Sequence, residues 1–277
     1  MYDAIEKIEN ALVQHGNWND RIYLLKIGRN DPEKLIPALD ALAREKGYGK
    51  IFAKVPALMK ESFEKAGYIV EAKVPDFYHG KSDVFFMAKF YDKLRARDKD
   101  PETVNAVLEK ADARHPISLP PEIDPQFAFT PAAKSDAEQM SRVFKEVFET
   151  YPIPVHDPGY ISKTMNENNA YFLIKKGGEI AAVSSSEMDR ESQNAEMTDF
   201  ATLPEFRGKN LSLYLLYRME KDMKARGIIT SYTIARAISF GMNITFARMG
   251  YIFSGTLANN TNISGQIESM NVWYKCL

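Results

Sequence analysis

The sequence predicts an α+β fold with mixed β-sheets, in which two parts of the 277-residue chain are joined by a linker. Three observations support this prediction. Strand-like apolar runs alternate with helical periodicities along most of the chain. A proline-rich segment between residues 98 and 125 interrupts that alternation. A short block containing Gly67 and Tyr68 recurs at Gly250 and Tyr251, 183 positions later, which indicates an internal repeat.

The first part opens with an apolar strand predicted at 22–27. Asp31 followed by Pro32 is typical of a helix start, because aspartate caps free amides and proline tolerates the first helical position. Leucines then recur on one face until Gly47, which is typical of a helix end. The further elements predicted here are a strand at 50–55, a helix at 56–66, strands at 69–74 and 84–90, and a helix at 101–112.

The second part alternates in the same way and contains one long amphipathic helix. Leu211, Leu215, Met219 and Met223 lie four residues apart and define its apolar face. The pair Gly177-Gly178 predicts a tight hairpin turn. The elements predicted here are a strand at 127–130, helices at 135–149 and 158–168, strands at 170–176, 179–188 and 195–203, a helix at 208–226, a strand at 228–236, a helix at 239–249, and strands at 251–257 and 267–275.

The linker and the repeat divide the chain into an N-terminal domain, 1–118, and a C-terminal domain, 119–277. The order strand-helix-strand-helix-strand-strand occurs in both, so we expect the first domain to copy the second half of the later one. It has no counterpart of the basic, glycine-bearing sequence at 207–209, since Gly28 to Asp31 follow its first strand. We therefore expect a degenerate copy that packs against or shapes the site without binding cofactor.

Composition restricts the function classes. The formal net charge is −1, with 36 basic and 37 acidic residues, which argues against a nucleic-acid binder that relies on a general basic field. The apolar runs are too short to span a bilayer, and the N-terminus lacks the features of a signal peptide. Cys276 is the single cysteine, so no internal disulfide forms and a cytoplasmic location is expected. The four histidines lack metal-ligand spacing, and we expect no metal.

The stretch from Leu203 to Ser212 is the most informative in the chain. It lies between a predicted strand and the amphipathic helix, and it contains Arg207, Gly208 and Lys209. The first amides of a helix have no internal partner, and the helix dipole favours negative charge there. The sequence therefore predicts a site for a phosphate or pyrophosphate.

This stretch, its flanking elements and Gly250-Tyr251 resemble the GNAT superfamily of acetyl-CoA-dependent N-acetyltransferases, over about 127–277. Arg207 and Gly208 fit the superfamily signature, whereas Asn210 and Ser212 stand where glycine or alanine is usual. Asparagine tolerates the left-handed backbone region and serine is small. The resemblance implies a GNAT fold in the C-terminal part, with a partial GNAT-like domain before it.

A closer resemblance is to the β-lysine N-acetyltransferase family of methanogenic archaea and some bacteria. It is carried by the blocks 195–201, 234–237, 241–246, 255–263 and 268–274. It implies acetyl transfer from acetyl-CoA to the terminal amine of β-lysine, by direct attack in a ternary complex. The product would be N6-acetyl-β-lysine, a compatible solute. Two alternatives stay open: acetylation of another small amine (lysine, ornithine or a polyamine) and a CoA-binding sensor without turnover. We expect a small-molecule partner and neither nucleic acid nor membrane, and a homodimer stays open.

The resemblance also implies where acetyl-CoA is held. Backbone amides near Thr202 and Leu203 would bind the thioester carbonyl, and the following loop would bind the pyrophosphate. The expected cofactor-binding residues are Ala201, Thr202, Leu203, Arg207, Gly208, Lys209, Asn210, Leu211, Ser212, Ser239, Asn243 and Phe246.

Catalysis requires a base, because an alkylammonium has a pKa of about 10.4. Glu196 and Asp199 are the candidates; a regular strand points them to opposite faces unless a bulge intervenes, and superfamily position favours Glu196. Phe246 stands where many members have a tyrosine that protonates the leaving thiolate. Tyr232, Tyr214 or solvent must then take that role.

The acceptor requires partners for one carboxylate and two ammonium groups. Arg236 is the candidate for the carboxylate, because an arginine fork matches its geometry. The segment 151–154 is a candidate for a loop that closes over the acceptor. Carboxylate and amide side chains are the candidates for the ammonium groups: Glu268, Asn243, Asn259, Asn260 and Asn271.

Overall fold

The computed structural model describes residues 2–277 and contains two β-sheets. The first sheet and its helices α1 (Pro32–Lys46) and α2 (Lys60–Lys65) form the N-terminal unit. The strand order of this sheet is β1-β2-β3-β4-β6-β5. The strands are β1 (Ala4–Ile8), β2 (Ala11–Gly16), β3 (Arg21–Lys26), β4 (Lys50–Pro56), β5 (Ile69–Tyr78) and β6 (Ser82–Phe90).

Both predicted ends of α1 are confirmed. The Asp31 carboxylate accepts a hydrogen bond from the Glu33 amide at 3.0 Å, and Pro32 occupies the first helical position. Gly47 ends the helix with φ +71°, in the left-handed region that glycine adopts without a steric penalty.

The C-terminal unit is built on the second sheet, with strand order β12-β13-β11-β10-β9-β8-β7. Its helices are α3 (Pro101–Asp112), α4 (Ala137–Val147), α5 (Pro158–Asn166), α6 (Leu211–Ala225) and α7 (Phe240–Arg248). Its strands are β7 (Phe127–Pro131), β8 (Asn169–Lys176), β9 (Glu179–Asp189), β10 (Asn194–Thr202), β11 (Thr230–Arg236), β12 (Ile252–Ile263) and β13 (Gln266–Cys276).

The two units share one topology. The order β3-β4-β6-β5 in the first sheet matches β10-β11-β13-β12 in the second, and in both the first pair is parallel and the others antiparallel. The repeat also includes β1 and β2, which match β8 and β9 and which the sequence analysis missed. The side chains of β1 lie mostly in solvent, so β1 lacks the apolar alternation that marks a half-buried strand.

The first sheet packs face to face on the second. Successive side chains of a strand point to opposite faces, so one face of the first sheet carries α1 and α2 and the other lies against β11–β13. Gly255 allows β12 to lie close to β5 of the first sheet, because a Cβ at this position would lie 2.0 Å from the Glu71 carbonyl oxygen. The apolar residues of this interface are Tyr23, Phe52, Ala72, Val74, Phe77, Val84, Phe86, Tyr232, Leu257, Met270 and Val272.

The helix α3 lies before the predicted boundary at 118/119 but packs on α7 of the C-terminal unit. Its Ala111 is buried in the core around α6. The chain therefore crosses between the units at 91–100, ahead of α3. None of the helices in residues 2–277 combines the length and the apolar content that a membrane span requires.

Candidate active site

The site begins where two parallel strands separate. β10 and β11 pair only from Asn194 to Glu196 on one side and from Thr230 to Tyr232 on the other. Beyond Glu196, a bulge between Thr198 and Ala201 bends β10, with Asp199 at φ +54°. The strands open into a cleft of about 580 Å³, the cofactor cleft, between β10, β11 and the first turns of α6 and α7.

The predicted anion site lies at one end of this cleft. Gly208 and Asn210 have φ values of +78° and +58°, so asparagine adopts the left-handed backbone where glycine is usual. No side chain caps α6, and its first-turn amides have no partner within the helix. The Arg207 Nε donates to the Thr202 carbonyl at 3.3 Å, and Arg248 Nη1 donates to the Asn210 side-chain oxygen at 3.2 Å. Two guanidinium groups therefore flank free amides, as an anion requires.

Most of the predicted cofactor residues line this cleft. Leu203 does not offer a free amide, because its N–H donates to the Ala181 carbonyl at 3.0 Å. Strand amides alternate in direction, so the Thr202 amide points to the opening between β10 and β11. Ala201 lies in the core around α4, and Lys209 is exposed. Those that line the cleft are Thr202, Arg207, Gly208, Asn210, Leu211, Ser212, Ser239 and Phe246.

Asn243 has a structural role in place of the predicted ligand role. It is fully buried, and its amide nitrogen donates to the carbonyls of Arg236 and Ser239. Its side-chain oxygen accepts from Asn271 and from the Trp273 indole, both at 2.9 Å. These four bonds use the whole capacity of the amide, and they tie α7 to β11 and β13.

Glu196 lies on the other face of the sheet, opposite α6. On this face Glu196 lies near two further carboxylates, Glu187 and Asp199, and we call this cluster the acidic recess. Asp199 also lines the cofactor cleft, so the two features adjoin. The pKa of Glu196 is raised to about 7: burial is the largest cause, Glu187 and Asp199 act in the same direction, and Lys54 opposes them. The value lies near neutral pH, where a carboxylate can accept and release a proton efficiently.

Glu187 joins Glu196 by strand register. The two residues are direct partners in the antiparallel pair of β9 and β10, so their side chains share a face. Glu187 is solvent-exposed. The site therefore offers a second carboxylate to a cationic ligand.

Asp199, the second predicted base, is buried among hydroxyl groups. It accepts hydrogen bonds from Tyr151 at 2.7 Å and from Ser185 at 2.5 Å. Burial raises its pKa and these hydroxyls lower it. The bulge turns Asp199 toward the same face as Glu196, so both predicted bases reach the recess.

Tyr232 is buried beside Glu196, and its hydroxyl accepts a hydrogen bond from Lys54 Nζ at 2.8 Å. Burial raises its pKa well above the usual value. Phe246 forms an apolar wall of the cofactor cleft, and the Tyr214 hydroxyl faces Arg218. Of the two predicted phenols, Tyr232 lies beside Glu196, whereas Tyr214 is not among the residues that line the cofactor cleft.

Arg236 and Glu268 were predicted to bind different groups of the acceptor, but they pair with each other. Arg236 Nε and Nη2 donate to the two Glu268 oxygens at 2.8 and 2.7 Å. Glu268 is almost fully buried, whereas Arg236 lines the cofactor cleft. Arg236 keeps Nη1 for a further acceptor, since guanidinium has five N–H donors.

The remaining predicted substrate residues are held away from the cleft. Asn259 donates to the carbonyls of Arg95 and Arg97, and the Asn260 carbonyl accepts from Arg21. These contacts join β12 to the N-terminal unit. Asn271 points to α7, where it donates to Asn243.

Sequence reasoning missed four side chains that lie at the candidate site: Lys54, Tyr23, Glu187 and Arg248. A lysine within the apolar strand 50–55 was a usable signal, because lysine is rarely buried without a partner. The register of the hairpin at Gly177-Gly178 could have placed Glu187 opposite Glu196. Arg248 and Tyr23 reach the site by tertiary packing, and no local pattern marks them.

Two kinds of comparison identify relatives of this chain. The model of the Acetyltransferase (GNAT) family matches residues 139–251, which include β10, the anion-binding loop and α6. A "Beta-lysine N(6)-acetyltransferase" of Methanococcus maripaludis is 46% identical over 275 residues, which cover 99% of this chain and 98% of that protein.

Two further relatives also match over most of their length. "N-acetyltransferase YodP" of Bacillus subtilis is 35% identical and covers 96% of each chain. A "Beta-lysine N(6)-acetyltransferase" of Methanosarcina mazei is 32% identical and covers 88% of this chain and 97% of that protein. The predicted GNAT fold and the predicted family are thereby confirmed. The chain belongs to the β-lysine N6-acetyltransferase family, within the GNAT acetyltransferases.

Proposed function

We propose that this protein transfers the acetyl group of acetyl-CoA to the N6 amine of β-lysine, by direct attack in a ternary complex. One observation carries the proposal: the anion-binding cleft and a carboxylate with a pKa of about 7 lie on either side of the point where β10 and β11 separate. GNAT acetyltransferases use acetyl-CoA, and the names of two relatives specify β-lysine.

The cofactor cleft suits CoA. The free amides at the start of α6 would hold the pyrophosphate, with Arg207 and Arg248 adding positive charge. The Thr202 amide, which faces the opening, would donate to the oxyanion that develops on the thioester carbonyl. Phe246 and Phe200 provide an apolar wall for the pantetheine arm.

Glu196 is the base in this mechanism. The acceptor arrives as an ammonium, and Glu196 would take its proton before or during attack on the thioester carbon. The tetrahedral intermediate then expels the CoA thiolate. A thiol has a pKa of about 8.5, so the thiolate leaves without a dedicated acid. Solvent or Tyr232 would return the proton.

The acidic recess suits a dication with one carboxylate. Glu187 and Asp199 would attract the two ammonium groups of β-lysine, and Arg236 Nη1 would bind its carboxylate. A polyamine has no carboxylate to place at Arg236 Nη1. The compatible-solute role of the product stays a prediction.

The decisive measurement is thiol release from acetyl-CoA with β-lysine, α-lysine, ornithine and spermidine as separate acceptors, with the acetylated nitrogen identified by NMR. We expect β-lysine to give the highest kcat/KM and a product acetylated at N6. Preference for spermidine would reassign the substrate. CoA binding without thiol release from any acceptor would contradict an enzymatic function and support a sensor.

A further inference from the structure

The N-terminal unit reaches into the acidic recess with one charged side chain, Lys54 of β4. Its Nζ donates to the Tyr232 hydroxyl at 2.8 Å and lies 4.0 Å from the Glu196 carboxylate. The same ammonium lies over the rings of Tyr23 and Tyr232, at 5.4 and 5.1 Å from their centroids. Lys54 is thus held by contacts from both units.

Lys50, on the same strand, provides a comparison because its ammonium has only structural contacts. Lys50 also faces the C-terminal unit and is fully buried. Its Nζ donates to both oxygens of Glu71 and to the Ala258 carbonyl, which uses all three of its protons. Lys54 differs because its Nζ makes no hydrogen bond to a carboxylate of the described residues. Within residues 2–277, the one carboxylate within 4.0 Å of its Nζ is Glu196, and 13% of its side chain is exposed to solvent.

We propose that Lys54 is a positioning residue of the acetyl-transfer site, whose ammonium holds the Tyr232 hydroxyl and the Glu196 carboxylate in the geometry for proton transfer from the acceptor amine. The inference rests on the proposed role of Glu196 as base. It assigns the N-terminal unit a defined part in catalysis: it completes the site by supplying a cation.

Charge balance in the recess supports this assignment. Burial opposes the charge on Lys54, but Tyr23, Tyr232 and Glu196 outweigh burial and raise the pKa of Lys54 well above its usual value. Lys54 is therefore a charged partner of Glu196, and its charge also opposes the rise in the pKa of Glu187. The titratable or charged groups that face Glu196 are Glu187 on β9, Asp199 on β10, Tyr232 on β11, Lys54 on β4, Arg21 and Tyr23 on β3, and Tyr151 in the loop before α5.

The test is the pH profile of kcat/KM for Lys54→Met and Lys54→Arg. An opposite charge at this distance shifts a carboxylate pKa by about 1 to 3 units, so Lys54→Met should move the acid limb to higher pH by about one unit or more. We expect kcat near pH 7 to fall roughly tenfold or more and to recover partly at pH 9. Lys54→Arg should keep the limb close to that of the wild type.

A matched control is Lys26→Met. Lys26 also joins the two units, through Asp189 at 2.8 Å, but 56% of its side chain is exposed. It should keep wild-type kcat and pH profile. Thermal unfolding of each variant, together with its Kd for CoA, reports whether the fold and the cofactor cleft are intact.

Three outcomes would overturn the proposal. Lys54→Met with an unchanged kcat and acid limb would leave Lys54 a structural residue. A higher KM for β-lysine alone, with the limb unmoved, would make it a ligand of the acceptor carboxylate. If the acid limb of kcat/KM shifted equally in Lys26→Met, the shift would result from the loss of one positive charge anywhere near the interface and not from the position of Lys54. Glu196→Gln separates this proposal from the proposed function: full activity in that variant would remove Glu196 as base, whatever Lys54 does.

Discussion

The starts of α1 and α6 occupy matching places in the two units, but α1 has a side-chain cap and α6 has none. In the N-terminal unit, the Asp31 carboxylate bonds to the Glu33 amide and Pro32 has no N–H. The Asp31 carboxylate therefore already offsets the positive end of the α1 dipole. In the C-terminal unit, Asn210 makes no side-chain cap and two arginines lie nearby. Two helix starts at matching places in one topology therefore differ in whether a side chain of the chain itself already caps their first amides.

The strand pairs differ in the same way. β3 and β4 stay paired from Arg21 to Leu24, whereas β10 and β11 separate after three pairs. In the third pair of each, Glu196 is opposite Tyr232 in the C-terminal unit, and Tyr23 is opposite Phe52 in the N-terminal unit. The Tyr23 and Phe52 rings contact each other, with centroids 4.6 Å apart. The N-terminal copy has the same strand order without the early separation of the strands, and the face that packs on the second sheet contributes Lys54 to the acidic recess.

The largest effect should come from Glu196→Gln, which removes the feature that the N-terminal copy lacks. Loss of a general base reduces kcat by about 10²- to 10⁴-fold. The substitution keeps shape and hydrogen bonding, so thermal unfolding and CoA binding should match the wild type. Steady-state kinetics with β-lysine measures the effect. A kcat within threefold of the wild type would contradict the assignment of the base.

The pH dependence of wild-type kcat/KM should report the titration of Glu196. Below its pKa of about 7, Glu196 is protonated and cannot accept a proton, so activity falls as pH falls. We expect kcat/KM to fall about tenfold per pH unit below that value, or about 100-fold by pH 5. The residual activity of Glu196→Gln should lack this limb. If that variant keeps the limb, another group titrates.

A smaller effect is expected from Asn210→Asp, which gives α6 the capping carboxylate that α1 has. A negative charge at a helix start is worth up to about 2 kcal/mol, and here it would compete with the pyrophosphate. We expect the Kd for CoA to rise roughly tenfold, since about 1.4 kcal/mol corresponds to a factor of ten. Calorimetric titration measures it, and Asn210→Gly should bind CoA like the wild type. Equally tight binding by Asn210→Asp would place the pyrophosphate elsewhere.

The smallest effect should come from Asp31→Ala in the N-terminal copy. Removal of an aspartate cap costs about 1 kcal/mol of unfolding free energy. Urea denaturation should show this loss, while KM for acetyl-CoA and kcat should stay at wild-type values. A raised KM for acetyl-CoA would mean that the start of α1 contributes to cofactor binding, which its own cap argues against.

Local sequence was sufficient for much of the fold. The cap at Asp31, the helix end at Gly47 and the hairpin at Gly177-Gly178 each follow from the preferences of a few adjacent residues, and the structure confirms them. The anion-binding loop at 207–212 is equally local, since a strand, a glycine-bearing turn and a helix start are contiguous in the chain. The exposed strand β1 lacked such a pattern.

The side-chain roles were harder to predict because they depend on partners far away in the chain. Asn243 bonds to Asn271 and Trp273, and the Asn259 side chain bonds to the backbone of Arg95 and Arg97, more than 160 positions away. Arg236 on β11 forms an ion pair with Glu268 on the neighbouring strand β13. An asparagine or arginine in a sequence shows its capacity for hydrogen bonds but not which groups will use it.

The sequence by itself determined most of the element order after β2, the presence of an internal repeat, the glycine-bearing loop before α6 and the family, because each depends on contiguous residues. The tertiary structure alone decided which carboxylate titrates near neutral pH. The pKa of Glu196 depends on burial, on the Asp199 bulge, on Glu187 across the strand pair and on Lys54 from the other unit. Electrostatic interactions act through space, so they are set only when folding brings these groups together.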